Sequence, residues 1–555
     1  MRLRTLAAAA LLVPVAAAAP ASAAGPDEVP ALEIPVKEGT LSNGMRVLVV
    51  ERHEAPTVSC VITFRVGGVD EHVGETGIAH ILEHMLFKGT DAWGTTDYAK
   101  EKPLLDRTEV LYQEIEAARA ALPLDLRRNT EQYDAVVKTA HRLGLAEAAP
   151  AERRDEALVA TLRKESEPLL ALDPSVKKVF DLEKEFCRVQ EEADKFVVED
   201  EDWEILEKNG AWGLNASTSN DWTRYYYSLP ANRLELWAMI ESGRMRNPVL
   251  RQYYKERDVI HEERRMRVED SAFGHLHEEA YALAFNAHPY GYPVIGWMSD
   301  IERISRTQVE RFFRRYYAPN RAIACVVGDV KFEQVKGMLE KWFGDIPRQA
   351  DPEPVVTVEP PQKGERRAIV KHKELRVPMI LVGYHRPALG HPDFYVLDQI
   401  AGILSTGRSG RFDKAFWEKR IAQISTGNGD SLYPDLFTFT GSPLPGKTLD
   451  EVEKEIQAQV TRLQETLATD EELLKCRNRN AAQIIRGMQN NLGLAQQIAN
   501  YELLYRWDYI NTYLDRMAKV TKEDIQRVAK KYFVEDNRTV IHLVPAAAAK
   551  PAVKE

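Results

Sequence analysis

Short apolar runs alternate with longer stretches of helical periodicity along most of this chain. "MRVLVV" from Met45 and "SCVITFRV" from Ser59 read as buried strands, as do "AIVKH" from Ala368 and "MILVGYH" from Met379. Between them, apolar residues recur at three- and four-residue spacing, which predicts helices lying on a sheet. The pattern predicts an α+β chain assembled from mixed α/β units.

Two segments repeat the same design. "ISRTQVERFFRRYYAPNRAIACVVGD" starts at Ile304 and "VTKEDIQRVAKKYFVEDNRTVIHLVP" at Val520, an offset of 520 − 304 = 216 residues. Each reads as a capped amphipathic helix ending in a basic pair and two aromatics, then a turn, then an apolar strand. An internal duplication explains the match. It divides the chain into homologous halves over residues 33–345 and 366–546. Between them, residues 346–365 carry Pro347, Pro352, Pro354, Pro360 and Pro361 and read as an extended linker. In the first half, residues 100–202 are highly charged and helical in pattern, punctuated by Pro150, Pro168 and Pro174. They predict an inserted helical subdomain of antiparallel hairpins whose charge forms a solvated face.

Composition narrows the role. A length of 555 residues exceeds one ordinary core, and 44% hydrophobic with 28% charged residues describes a globular protein. A net charge of −10 without a basic stripe disfavours nucleic-acid binding. Residues 1–24 have Arg2 and Arg4, an apolar run from Leu6 to Ala19 and a small-residue "ASA", the pattern of a cleaved export signal. The expected location is periplasmic or extracellular, with no membrane span. Cys60, Cys187, Cys325 and Cys476 form no CxxC pair, so a zinc site built on thiolates is disfavoured. Cys60 and Cys325 sit in strand-like runs as small apolar residues, and nothing requires them to pair.

The candidate chemistry lies in "TGIAHILEHMLFKGT", Thr76 to Thr90. On a helix, His80, Glu83 and His84 share one face, so two imidazoles can meet one metal ion with a carboxylate beside them. This is the H-x-x-E-H arrangement of inverted zincins. Zinc suits neutral imidazoles and keeps a position open for water, whose proton a nearby carboxylate can take. Gly89 in "FKGT" is expected to close the helix. A third ligand is needed, and "KERDVIHEERRMRVED" from Lys255 offers Glu256 and Glu263 two helical turns apart. Spacing alone does not single these out from the other glutamates.

The chain resembles the pitrilysin/insulinase family of zinc peptidases, in its mitochondrial-processing-peptidase-like branch. The resemblance rests on "GIAHILEHMLFKGT", "LNASTSNDWTRYYYSLP", "LELWAMIESGRMRNP", "ERDVIHEERRMR", "HPYGYPVIGWMSDIE" and "YYAPNRAIACVVGD", in the family's order. It implies a clamshell of two homologous halves, one zinc ion per chain, and peptide-bond hydrolysis. His80, His84 and Glu263 would be the zinc ligands, Glu83 the general base and Glu256 a supporting carboxylate. The gap of 263 − 84 = 179 residues exceeds the family's interval by roughly the inserted subdomain. "LNASTSND" resembles the family's edge strand, on which Asn215, Ala216 and Ser217 would receive a peptide as an added strand.

The second half departs from the pattern. Self-contained members carry there an arginine and a tyrosine seven residues apart that hold substrate. In "STGRSGRFDKAFWEKRIAQISTG" these positions fall on Trp417 and Ile424. The second half also lacks an H-x-x-E-H of its own, since His385 and His391 are six apart with a proline and a glycine between. The resemblance therefore implies a homologous partner subunit that supplies the missing pair. The alternative expectation is a catalytically weak or inactive peptide-binding or scaffold subunit of the same fold.

Overall fold

A computed structural model describes residues 33–405 and 410–546. The expected export signal lies outside the described residues. Two sheets organise the chain. The first runs in the order β1-β2-β6-β3-β5-β4. Its strands are β1 (Lys37–Thr40), β2 (Arg46–Glu51), β3 (Thr57–Phe64), β4 (Trp212–Thr218), β5 (Thr223–Pro230) and β6 (Ala322–Gly328). The second, β7-β11-β8-β10-β9, holds β7 (Arg366–His372), β8 (Met379–Arg386), β9 (Ala422–Gly427), β10 (Asp435–Pro443) and β11 (Arg538–Pro545).

Both sheets share one topology. β6 lies parallel to β2 and antiparallel to β3. β11 lies parallel to β7 and antiparallel to β8. β3-β5-β4 and β8-β10-β9 are both antiparallel meanders in space. The repeated segments occupy equivalent places, and each of their helices starts with a capping box, Ser305 with Gln308 and Thr521 with Asp524. The halves are thus homologous in architecture as well as in pattern.

Seven helices bear on the site and its surroundings: α1 (Ile78–Met85), α2 (Tyr98–Ala120), α3 (Thr130–Ala148), α4 (Glu156–Leu170), α5 (Pro174–Asp194), α6 (Tyr253–Arg264) and α7 (Asn491–Leu504). In the first sheet, Val47, Val49, Cys60 and Ile62 belong to the core cluster that includes α1. Leu48, Val50, Val61 and Cys325 belong to the cluster that includes α7 from the second half. Both faces are therefore buried, which explains continuous apolar runs where a one-sided sheet would alternate. Val61 stands opposite Cys325 and Cys60 opposite Val326. This one-residue stagger puts the two cysteines on opposite faces, and both are free thiols.

Helices α2 to α5 form the insertion, with a core of its own that includes Leu126, Val136, Val179 and Phe180. Two details differ from expectation. Pro168 does not break a helix but lies in the last turn of α4. Residues 347–363 form neither helix nor strand, yet they are tied down. Glu359 accepts backbone hydrogen bonds from Asn286, Ala287 and His288 of the first half.

Candidate metal centre

Helix α1 is held at its N-terminus by carboxylates. Glu71 accepts from the backbone N–H of Gly77 (2.7 Å) and Ala79 (2.9 Å), satisfying donors the helix leaves open. Asp300 accepts from the Thr76 hydroxyl at 2.6 Å. Gly77 has φ +89°, and a Cβ there would lie 2.6 Å from the Ile295 carbonyl oxygen, so only glycine fits this entry. The helix stops at Met85 with Leu86 as its cap. Gly89, expected at that end, instead has φ +84° in the following turn, where a Cβ would lie 2.5 Å from the Trp93 carbonyl oxygen.

His80 and Glu83 are buried and His84 half-buried. Helix α6 passes close by. His80 Nε2 lies 3.7 Å and His84 Nε2 3.4 Å from the same Glu263 oxygen, Oε2. These three side chains can offer one ligand atom each, all mutually within 4.8 Å. Ligands bonded to one tetrahedral zinc at about 2.0–2.1 Å are separated by roughly 3.3 Å. Among the described residues, Glu263 Oε2 is buried without a hydrogen-bond partner, while Oε1 is engaged by Arg267 at 2.8 Å. The donor set and the free oxygen fit a zinc ion.

Glu256, one face of α6 with Glu263, accepts from His84 Nδ1 at 2.9 Å and pairs with Lys88 at 2.7 Å. Such a bond fixes the imidazole's tautomer and turns Nε2 toward Glu263. Glu83 Oε2 accepts from the Thr218 hydroxyl at 2.5 Å. Thr218 ends β4, so the edge strand touches the carboxylate of α1 directly. Along β4, Asn215 is exposed, Ala216 buried and Ser217 half-buried. The strand pairs with β5 on one side and stands at the end of the sheet. The Ala216 N–H is taken by the Asn215 side chain at 2.8 Å.

Electrostatics follow this arrangement. Burial, helped by neighbouring His84, lowers the His80 imidazole to about 4. Burial opposes charge on His84 too, but the Glu256 and Glu263 carboxylates prevail and raise it to about 9. Glu256, against its own burial, is held at about 2 by His84 and Lys88. Burial pushes the Glu83 carboxyl up, with the Thr218 bond pulling the other way. Two carboxylates thus create a demand for positive charge beside two imidazoles.

The sequence pattern pointed to His80, Glu83 and His84 and the family resemblance to Glu256 and Glu263, and the fold brings all five together. Neither singled out Thr218, Lys88 or Arg267. Thr218 falls in the quoted edge-strand segment, but no local pattern links it to Glu83. In the second half, Trp417 is exposed and Ile424 is buried in the core from β9. Part of the preceding loop, residues 406–409, lies outside the described residues. His385 Nε2 faces the Ala284 carbonyl at 3.0 Å, and among the described residues it belongs to no candidate metal cluster.

Residues 46–103 match the family profile described as insulinase (peptidase family M16). Residues 303–480 match the one described as peptidase M16 inactive domain. Zinc protease PqqE of Helicobacter pylori is 29% identical over 338 residues, 60% of this chain and 76% of the relative. A crystal structure of a protease from Helicobacter pylori superposes with a TM-score of 0.70 at 23% identity, covering 92% of this chain and all of the other. The periplasmic protease PqqL from Escherichia coli gives a TM-score of 0.60 at 17% identity, covering 94% of this chain but 49% of PqqL.

Proposed function

Because the chain is built from domains of the insulinase (peptidase M16) family, we propose that it is a zinc-dependent endopeptidase acting on peptides or unfolded segments. The observation that carries the reading is the meeting of His80, His84 and Glu263 beside a Glu83 carboxylate. His80, His84 and Glu263 would hold the ion. When bound, zinc supplies Lewis acidity toward water and carbonyl oxygen. Glu83, raised by burial, is suited to accept a proton from the attacking water and pass it to the leaving amine. Glu256 orients His84, and Thr218 orients Glu83. Peptide would bind along β4 as an added strand, with Asn215 swinging off the Ala216 N–H to admit it.

The test is Glu83→Gln in the full chain. Zinc content should stay at one ion at this site while hydrolysis of unfolded peptides disappears. Unchanged turnover would reject Glu83 as the proton carrier.

We further propose that a homologous partner chain completes the site. Trp417 offers one neutral donor and Ile424 none, and this chain corresponds to about half of PqqL. The missing electrophilic donor is worth roughly 3–4 kcal/mol in the transition state. The purified single chain should therefore be weak and regain activity when mixed with a homologue carrying the arginine and tyrosine. Full activity alone would reject an obligate partner. The inactive-domain match over 303–480 supports the other reading, a peptide-binding subunit. A zinc-loaded chain that binds unfolded peptide and cleaves none, alone or with the homologue, would favour it. The export-signal pattern of residues 1–24, together with the location named for PqqL, supports a periplasmic setting. No helix among the described residues is long and apolar enough to cross a membrane.

A further inference from the structure

The helical insertion holds a second set of ligand atoms. α3 and α5 pack side by side, and Gly144 permits their close approach. A Cβ there would come within 2.9 Å of the Glu183 carbonyl oxygen and 3.0 Å of Cys187 Sγ. One turn earlier on α3 stands His141, whose Nδ1 lies 3.1 Å from Glu183 Oε2. Glu183 and Cys187 are four residues apart on one face of α5. His141, Glu183 and Cys187 can offer one ligand atom each, all within 4.8 Å of one another.

The surroundings suit an ion. The Glu183 and Cys187 residues are each 2% exposed, and His141 is half-buried. Glu183 Oε1 accepts from Arg119 at 2.6 Å, which fixes the carboxylate and leaves Oε2 aimed at His141. The three ligands line a cavity of about 830 Å³ between the insertion and α6, so a fourth position faces open space. Sulfur and imidazole together favour zinc over calcium or magnesium, which take oxygen ligands. One thiolate and one carboxylate offset a divalent cation, the carboxylate being shared with the Arg119 guanidinium.

We propose that His141, Glu183 and Cys187 form a second zinc site that pins α3 to α5. On binding, the Cys187 thiol releases its proton to solvent and its sulfur bonds the ion, while His141 binds as neutral imidazole. Sulfur makes the site separable from the first, whose ligands are nitrogen and oxygen. Among the described residues, no other candidate cluster contains a cysteine.

The test uses the reduced full chain, stripped with a chelator and reloaded with zinc or cobalt(II) alone. Zinc-edge absorption of the unmodified chain should show a sulfur neighbour at about 2.3 Å. The cobalt form should show a thiolate-to-metal charge-transfer band. Cys187→Ser and His141→Ala should each lower zinc by one equivalent, the serine variant abolishing the band. A loaded unmodified chain without sulfur at the metal would overturn the proposal, and this reading needs no variant to fold. A band that persists undiminished in Cys187→Ser would overturn it too. Loss of zinc at His80, His84 and Glu263 would leave the sulfur signal intact, so the two sites stand or fall separately.

Discussion

Glu256 gives the sharpest quantitative prediction. Its carboxylate receives His84 Nδ1 at 2.9 Å and Lys88 at 2.7 Å, and these cations hold it at about 2. Glu256→Gln keeps an oxygen for the imidazole but removes the charge, and it leaves Lys88 uncompensated next to a cation site. A hydrogen bond to a charged group is worth about 1.5–3 kcal/mol, and 1.4 kcal/mol is tenfold in an equilibrium constant. Zinc affinity at the first site should therefore fall by about 10- to 100-fold, the range typical of such supporting groups. Glu256→Ala, which also frees the His84 ring to rotate, should lie at the weaker end. The assay is competition with a zinc chelator on metal-stripped protein carrying Cys187→Ser, so that only the first site is read. At saturating zinc most of the peptidase rate should return, because both Glu256 oxygens are engaged by His84 and Lys88. Affinity within about twofold of the parent in both variants, with Glu263→Gln strongly weakened, would refute the reasoning.

Three further outcomes are expected. Thr218→Val removes the donor to Glu83, so the acid limb of the pH–rate profile should move to higher pH and kcat should drop about tenfold or more with zinc content unchanged. Glu101→Ala breaks a fully buried pair with Arg251, which also donates to the Lys88 carbonyl at 3.0 Å, and should cost about 3–5 kcal/mol in urea unfolding. Burial, with Asp430 nearby, raises Asp398 to about 7, against hydrogen bonds from Asn428 and Tyr513. An acid whose folded value is raised loses stability as pH climbs from its ordinary value near 3.8 through about 7, because the unfolded chain ionises first. Asp398→Asn mimics the protonated form, so it should raise the melting temperature at pH 8 and change it little at pH 4. The upper bound is about 4 kcal/mol, and equal shifts at both pH values would refute the assignment.

Much of the architecture was legible before any coordinates. The 216-residue repeat anticipated two sheets of the same topology, because a helix–turn–strand unit is specified locally by caps, periodicity and turn residues. The linker was less legible: prolines signal the lack of regular structure, but nothing local shows that Glu359 anchors it to Asn286 and its neighbours. Helix α1 ends at Met85, about one turn before Gly89, the residue expected to close it. The left-handed backbone of Gly89 serves the tight turn to Trp93 and Gly94 that follows the helix.

The grouping of His80, Glu83 and His84 was determined by sequence alone, since 3.6 residues per turn places them on one side of any helix they form. What stands across from that side was decided only by folding. Glu263, Glu256 and Thr218 arrive from α6 and β4, 135 to 179 residues away, positioned by sheet order and helix packing. The same holds for Cys60 and Cys325, which look alike in their strands until the register sends them to opposite faces. It holds again for His141 and Cys187, whose approach depends on a missing side chain at Gly144. Spacing along a helix is a local property of the backbone; contact between elements depends on how the whole chain buries its apolar surface.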